Sequence, residues 1–210
     1  MKAAILGNGN LGTALANHLL RRGHAVAWGV RDAASPSVAK AMAACPGTTA
    51  TTAAQAVSDA DVVFVALPWL AALPAMAPLA TTLTGKTVVD CTNAYVVANG
   101  YVKPFALPSA AELMQRCVPG AKVVKAFNQL GAAKLANPQF VSGTPWMGVA
   151  GDDSEAVHRV VALAQSFGFN AVPFGKLSAA VHLEDMARIW IHAVYVAGMG
   201  PGIGFALLNS

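Results

Sequence analysis

The sequence predicts an α/β fold, a doubly wound, mostly parallel sheet with a small helical part at the C-terminal end. Three observations predict it. Short apolar runs recur at residues 3–6, 24–29, 61–66, 87–90, 122–127 and 145–150, each of a length that suits a buried strand. Helical patterns separate most of them, the alternation that builds βαβ units. The first run leads without a gap into Gly7-Asn8-Gly9-Asn10-Leu11-Gly12, and residues 13–20 read as a helix. Strand, G-x-G-x-x-G, helix is the context that makes a glycine motif a dinucleotide-binding fingerprint, so the fold is expected to be of the Rossmann type.

Each glycine of the loop has a separate task. Gly7 permits the tight turn, Gly9 lets the backbone approach a pyrophosphate, and Gly12 lets the helix lie close to the strand. The helix N-terminus adds free N–H groups and a partial positive charge for the phosphates. The second strand, residues 24–29, ends at Val30-Arg31-Asp32. That strand end reads the adenosine ribose. An acid there favours NAD, whereas an arginine pairs with the 2′-phosphate of NADP. Arg31 comes first, so NADP is expected; Asp32 either caps the next element or pairs with Arg31.

Residues 36–44 read as a short helix stopped by Cys45-Pro46-Gly47, and 51–58 as a weaker one. The strand at 61–66 ends in Leu67-Pro68-Trp69, because proline leaves the ladder. Trp69 either staples the helix at 70–79 or walls the nicotinamide site. The strand at 87–90 leads to Cys91-Thr92-Asn93, where Asn93 either bonds a ribose or carboxamide or closes the turn itself. Asn99-Gly100 reads as a turn within a loop. Ser109 and Glu112 form a capping box for a helix at 109–116. The strand at 122–127 ends at Asn128-Gln129, followed by a helical turn at 132–136 and the strand at 145–150. An amphipathic helix at 154–167 is closed by Gly168, residues 170–173 suit a short edge strand, and a long helix is expected from 177 to 196. The glycine loop, Arg31, Leu67-Pro68-Trp69, Asn93 and Asn128 all follow the carboxyl ends of parallel strands. They should therefore converge on one crevice.

Composition narrows the function. Of 210 residues, 55% are hydrophobic and 11% charged, so much of the chain should be interior or interface. The net charge of +4 comes without a Lys/Arg run or an aromatic–basic stripe; it suits phosphate-bearing ligands and gives no reason to expect nucleic acid. Cys45, Cys91 and Cys117 lack metal or disulfide spacing and suit free thiols in a reducing cytosol. The first strand begins at once, which leaves no room for a leader, so a cytoplasmic protein is expected. Residues 189–208 have the length of a membrane span, but His192, four glycines and Pro201 interrupt them. A buried helix with an irregular tail is expected instead, one too apolar to stay uncovered outside a homodimer.

There is no G-x-S-x-G and no metal-spaced cluster. His182 with Asp185, His192 with Tyr195, and Glu184 with Arg188 read as local helix pairs. Lys125 is the one candidate acid, although a solvated lysine at a strand edge is the plainer expectation. Hydride transfer needs no more, since the cofactor carries the chemistry. No catalytic residue or metal ligand is assigned on this reading.

These segments carry a resemblance. Gly7–Gly12, His24 to Arg31 with its Gly29-Val30-Arg31 ending, Leu67-Pro68-Trp69, Val123 to Asn128, and Leu183-Glu184 through Trp190-Ile191 to Gly198-Met199-Gly200 resemble the NADP oxidoreductases dependent on coenzyme F420, a deazaflavin, and their bacterial relatives. The oxidoreductase domain of metalloreductases is similar too. The resemblance implies a Rossmann NADP-binding domain over 1–175 and a helical segment over 176–210 that closes the substrate cleft and joins a dimer. It implies direct hydride transfer between NADPH and coenzyme F420 or a flavin (FMN or FAD) as co-substrate, with ferric chelate as a further acceptor on the metalloreductase side. A Ser-Arg-Arg run is expected where this chain has Val30-Arg31-Asp32. Two other readings stay open: an imine- or hydroxyacid-type reductase using Lys125, and a non-catalytic NADP-binding redox sensor.

Overall fold

The computed structural model describes residues 1–98, 101–104 and 108–208. In chain order the main elements are β1 (Lys2–Leu6), α1 (Asn10–Leu20), β2 (Ala25–Val30), α2 (Pro36–Ala44), β3 (Thr49–Thr52), α3 (Ala53–Asp59), β4 (Val62–Val65), α4 (Trp69–Met76), β5 (Thr87–Asp90), β6 (Tyr95–Ala98), β7 (Tyr101–Pro104), α5 (Ala110–Cys117), β8 (Lys122–Lys125), α6 (Ala132–Ala136), β9 (Trp146–Gly151), α7 (Ser154–Phe167), β10 (Asn170–Gly175) and α8 (Ala180–Ile191).

Eight strands form one sheet in the order β10-β9-β8-β5-β4-β1-β2-β3. Every pairing is parallel except β8 with β9. The carboxyl ends of β1, β2, β4, β5 and β8 therefore share one edge. The chain leaves β1 toward β2 and β3, then returns to extend the sheet on the other side through β4. The strand order reverses between β1 and β4, the place where such sheets open a crevice.

Alternation along the strands explains the two layers. Ala3 and Ile5 of β1 and Val62 and Phe64 of β4 face one core with α1, α6 and α7. Ala4, Leu6, Val63 and Val65 face the other, with α3, α4 and α5. Strands buried on both faces read as continuous apolar runs, which is why they were legible. α7 starts where the Asp153 carboxylate accepts from Ala156 N–H and stops at Gly168, φ +104°, as its cap residues predict.

Two local expectations, at 51–58 and from 177 onward, are corrected. The helix expected at 51–58 begins at Ala53, and Thr49–Thr52 is the edge strand β3. Its β-branched threonines suit a strand, and Thr52 then caps α3 through Gln55 N–H. The loop around Asn99-Gly100 contains the antiparallel hairpin β6–β7, with Ala98 opposite Tyr101; residues 99 and 100 lie outside the described residues. The single long helix from 177 divides into a 3₁₀ turn (Leu177–Ala179), α8 and a π-helical turn (His192–Val196). Among the described residues no helix is long and apolar enough to cross a membrane. Cys45 and Cys91 are buried free thiols, whereas Cys117 is only half-buried.

Candidate active site

The glycine turn sits at the reversal point. Gly7 has φ +112°, and a Cβ there would strike the Ala66 carbonyl at the end of β4. A Cβ on Gly12 would strike the Gly7 carbonyl and meet Ile5 Cγ2 at 3.3 Å. These two glycines hold strand, turn and helix together. Gly9 differs, because a Cβ there meets nothing within 4 Å. The open face of the turn thus lies at Gly9, beside the N-terminus of α1, where Asn10 and Leu11 form its first turn. That is the cradle a pyrophosphate requires, so the residues present fit a dinucleotide. Asn8 Nδ2 donates to Ser37 Oγ at 3.1 Å and ties the turn to the start of α2.

At the end of β2, Arg31 and Asp32 are both exposed. The Asp32 carboxylate accepts from Ala34 N–H at 2.9 Å, closing the turn. No ion pair joins it to Arg31 among the described residues. Leu67 and Trp69 are half-buried and lie against the core beneath α3 and α4. Trp69 is the first residue of α4 and Pro68 its cap.

A cavity of about 490 Å³ opens on the same edge. Leu11 from the glycine turn lines one side; Cys91, Asn93 and Tyr95 follow β5; Phe127 to Gly131 follow β8; Ala187, Trp190 and Ile191 come from α8, and Tyr195 from the π-helical turn. No residue of the lining is charged. Asn93 and Asn128, predicted from separate strand ends, meet here. Asn128 Nδ2 donates to Asn93 Oδ1 at 2.8 Å and to the Leu183 carbonyl at 2.9 Å, and Asn93 Nδ2 donates to the Asn128 carbonyl at 3.2 Å. Burial holds the Tyr95 phenol above its ordinary pKa, with a hydrogen bond to Asn93 pulling the other way.

The turn after β8 is unusual. Phe127, fully buried, has φ +59°, a backbone region that costs a bulky residue on the order of 1–3 kcal/mol. Its ring sits among Phe64, Phe167 and Phe169. Gln129 then clamps Gly148 of β9 by donating to its carbonyl at 2.9 Å and accepting from its N–H at 3.1 Å. Anchors on both sides hold the strained turn against the cavity.

Lys125 corrects the sequence reading. It is neither solvated nor in the cavity wall; it is 0% exposed. Its ammonium bonds Asp90 Oδ2 at 3.0 Å, Glu184 Oε1 at 2.8 Å and the Thr92 carbonyl. Burial alone would depress its pKa, but Asp90 and Glu184 outweigh that and hold it above the ordinary value. Glu184 is thus not the partner of Arg188, which pairs with Asp185 instead. Glu184 reaches inward because α8 turns that face to the sheet.

The model of the family "NADP oxidoreductase coenzyme F420-dependent" matches residues 2–94, from β1 to the turn after β5. A crystal structure from an Arthrobacter species, assigned as an F420-dependent NADP reductase, is 28% identical and matches 100% of both chains with a TM-score of 0.88. Over its first half the chain resembles the F420-dependent NADP oxidoreductases. A hypothetical protein of Sinorhizobium meliloti is 32% identical over 86% of this chain and 87% of its own, with a TM-score of 0.70. Metalloreductase STEAP3 of Rattus norvegicus is 31% identical over 189 residues, 87% of this chain but 36% of the metalloreductase. The chain thus spans about a third of that relative's length.

One part of this site was anticipated and another escaped sequence reading. The cavity wall from α8 falls on Trp190 and Ile191, within the segment that the resemblance assigns to the cleft. The Lys125–Asp90–Glu184 cluster joins residues far apart in sequence, and only the terminal positions of Asp90 and Lys125 on neighbouring strands hinted at it.

Proposed function

We propose that the protein is an NADP(H)-dependent oxidoreductase that moves a hydride directly between nicotinamide and a flat fused-ring acceptor, a deazaflavin such as coenzyme F420 or a flavin. The observation that carries this reading is the uncharged cavity joined to the glycine turn. A pyrophosphate at Gly9 and the N-terminus of α1 directs the nicotinamide end of the cofactor toward Leu11 and the space beyond it. There Asn93 and Asn128 form a hydrogen-bonded pair in the wall, and Trp190, Tyr95 and Tyr195 offer aromatic surface for a second ring. Apolar walls exclude water, and hydride transfer asks the protein for alignment rather than a proton donor. Arg31, exposed and without an ion pair, supplies the cation for a 2′-phosphate. The segment 176–210 closes the cleft through Ala187, Trp190 and Ile191.

The imine- or hydroxyacid-reductase reading needs a proton donor facing the substrate. Lys125 does not face the cavity, and its ammonium is occupied by three acceptors. The acceptor is found by following NADPH absorbance anaerobically with coenzyme F420, FMN, FAD and ferric chelate in parallel. Turnover with F420 or a flavin is expected. NADPH binding without turnover on any of them would contradict the proposal and favour a sensor.

A further inference from the structure

Behind the cavity lie three buried charges that hydride transfer, as described, does not use. Asp90 and Lys125 are 0% exposed and Glu184 is 7% exposed. Every carboxylate oxygen of the two acids accepts a hydrogen bond. Asp90 Oδ2 accepts from Lys125 Nζ at 3.0 Å, and Oδ1 accepts from Thr92 N–H at 2.9 Å and Thr92 Oγ1 at 2.7 Å. Glu184 Oε1 accepts from Lys125 Nζ at 2.8 Å and Ala110 N–H at 2.9 Å, and Oε2 accepts from Ala94 N–H at 3.2 Å. No oxygen of either acid is left without a donor. Two carboxylates share one ammonium, and the cluster carries a net charge of −1.

That charge sits one residue behind the cavity wall. Cys91 adjoins Asp90, Asn93 and Tyr95 flank Ala94, and Ala187 lies one helical turn beyond Glu184. Since no lining residue is charged, nothing in the wall opposes its field, and a low-dielectric interior transmits it. Hydride transfer takes a hydrogen and its bonding electron pair from nicotinamide C4 to the acceptor. A C–H bond breaks at the nicotinamide, a C–H bond (deazaflavin) or N–H bond (flavin) forms at the acceptor, the nicotinamide ring gains one positive charge, and the acceptor gains one negative charge until it takes a proton from water.

We propose that the Lys125–Asp90–Glu184 cluster biases the bound nicotinamide toward its oxidised, cationic form. The three residues act on the cofactor through the wall and are positioning residues in an electrostatic sense. The proposal rests on the NADP(H) reading above. Its test is calorimetric binding of NADP⁺ and of NADPH, without acceptor, to the wild-type protein, Glu184→Gln and Asp90→Asn. In each variant the ratio Kd(NADPH)/Kd(NADP⁺) is expected to fall roughly tenfold, from either element, because one negative charge is gone. A merely structural role would weaken both forms alike. An unchanged ratio in a variant that melts cooperatively overturns the proposal. Should neither variant fold, the wild-type ratio decides: above one supports it, below one overturns it. A wild type that binds neither form would instead bring down the NADP(H) reading itself.

Discussion

Single residues divide into those the fold needs and those the ligand needs. Gly12 belongs to the first kind, because any Cβ drives into the Gly7 carbonyl. Gly9 belongs to the second. Gly9→Val should melt close to the wild type yet lose NADPH affinity, while Gly12→Ala should cost on the order of 1–3 kcal/mol of stability; calorimetry and thermal melts separate the two effects. Arg31→Ala should weaken NADPH binding by roughly 1.5–3 kcal/mol and leave NADH binding nearly unchanged. Equal losses for both cofactors would refute the 2′-phosphate assignment. His18 makes stability depend on pH. Its Nε2 donates to the Leu135 carbonyl at 2.8 Å, its Nδ1 faces the Arg22 guanidinium at 3.4 Å, and its ring stacks on Phe167. Burial chiefly, then the arginines, hold its pKa below 6.5, against the pull of the Leu135 carbonyl. The unfolded chain therefore binds the proton more readily. Stability from neutral His18 is complete above pH 6.5 and declines as pH falls from there toward the folded pKa. Urea melts of wild type and His18→Gln from pH 7.5 to 5 should converge on acidification; parallel curves would contradict this.

At the scale of elements, much was legible because the central strands β4 and β5 are buried on both faces and α5 and α7 carry their own start signals. The Ser109–Glu112 box is present as read, with Ser109 Oγ accepting from Glu112 N–H and Glu112 Oε2 accepting from Ser109 N–H. Ser109→Ala should cost about 1 kcal/mol. What stayed hidden depends on tertiary packing. Thr49–Thr52 is a strand because β2 offers an edge to pair with, and no local pattern shows that. Lys125 ends an apolar strand, where a lysine ordinarily snorkels to water. Only the arrival of α8, carrying Glu184, makes burial tolerable. Lys125→Met leaves two acids facing each other and should destabilise the protein by about 3–5 kcal/mol; a chemical melt within 1 kcal/mol of the wild type would contradict it.

For the whole molecule, sheet topology accomplishes what the sequence could only anticipate. Asn93 and Asn128 follow different strands and hydrogen-bond at one edge, and the glycine turn stands beside them through Leu11. The C-terminal tail returns to the body, with Trp190 Nε1 donating to the Ile203 carbonyl and Trp146 N–H donating to the Phe205 carbonyl. Ile189, Val196, Met199 and Leu208 nevertheless remain exposed. A homodimer that covers them is expected, and a monomer by light scattering at micromolar concentration would contradict it. The central claim is that nicotinamide and acceptor meet inside the uncharged cavity and exchange a hydride without an intermediary. The measurement that tests it most directly is isotope tracing with NADPH deuterated at C4, using coenzyme F420 as acceptor. Deuterium retained on carbon in the reduced deazaflavin is the predicted result, and deuterium lost to solvent would contradict it.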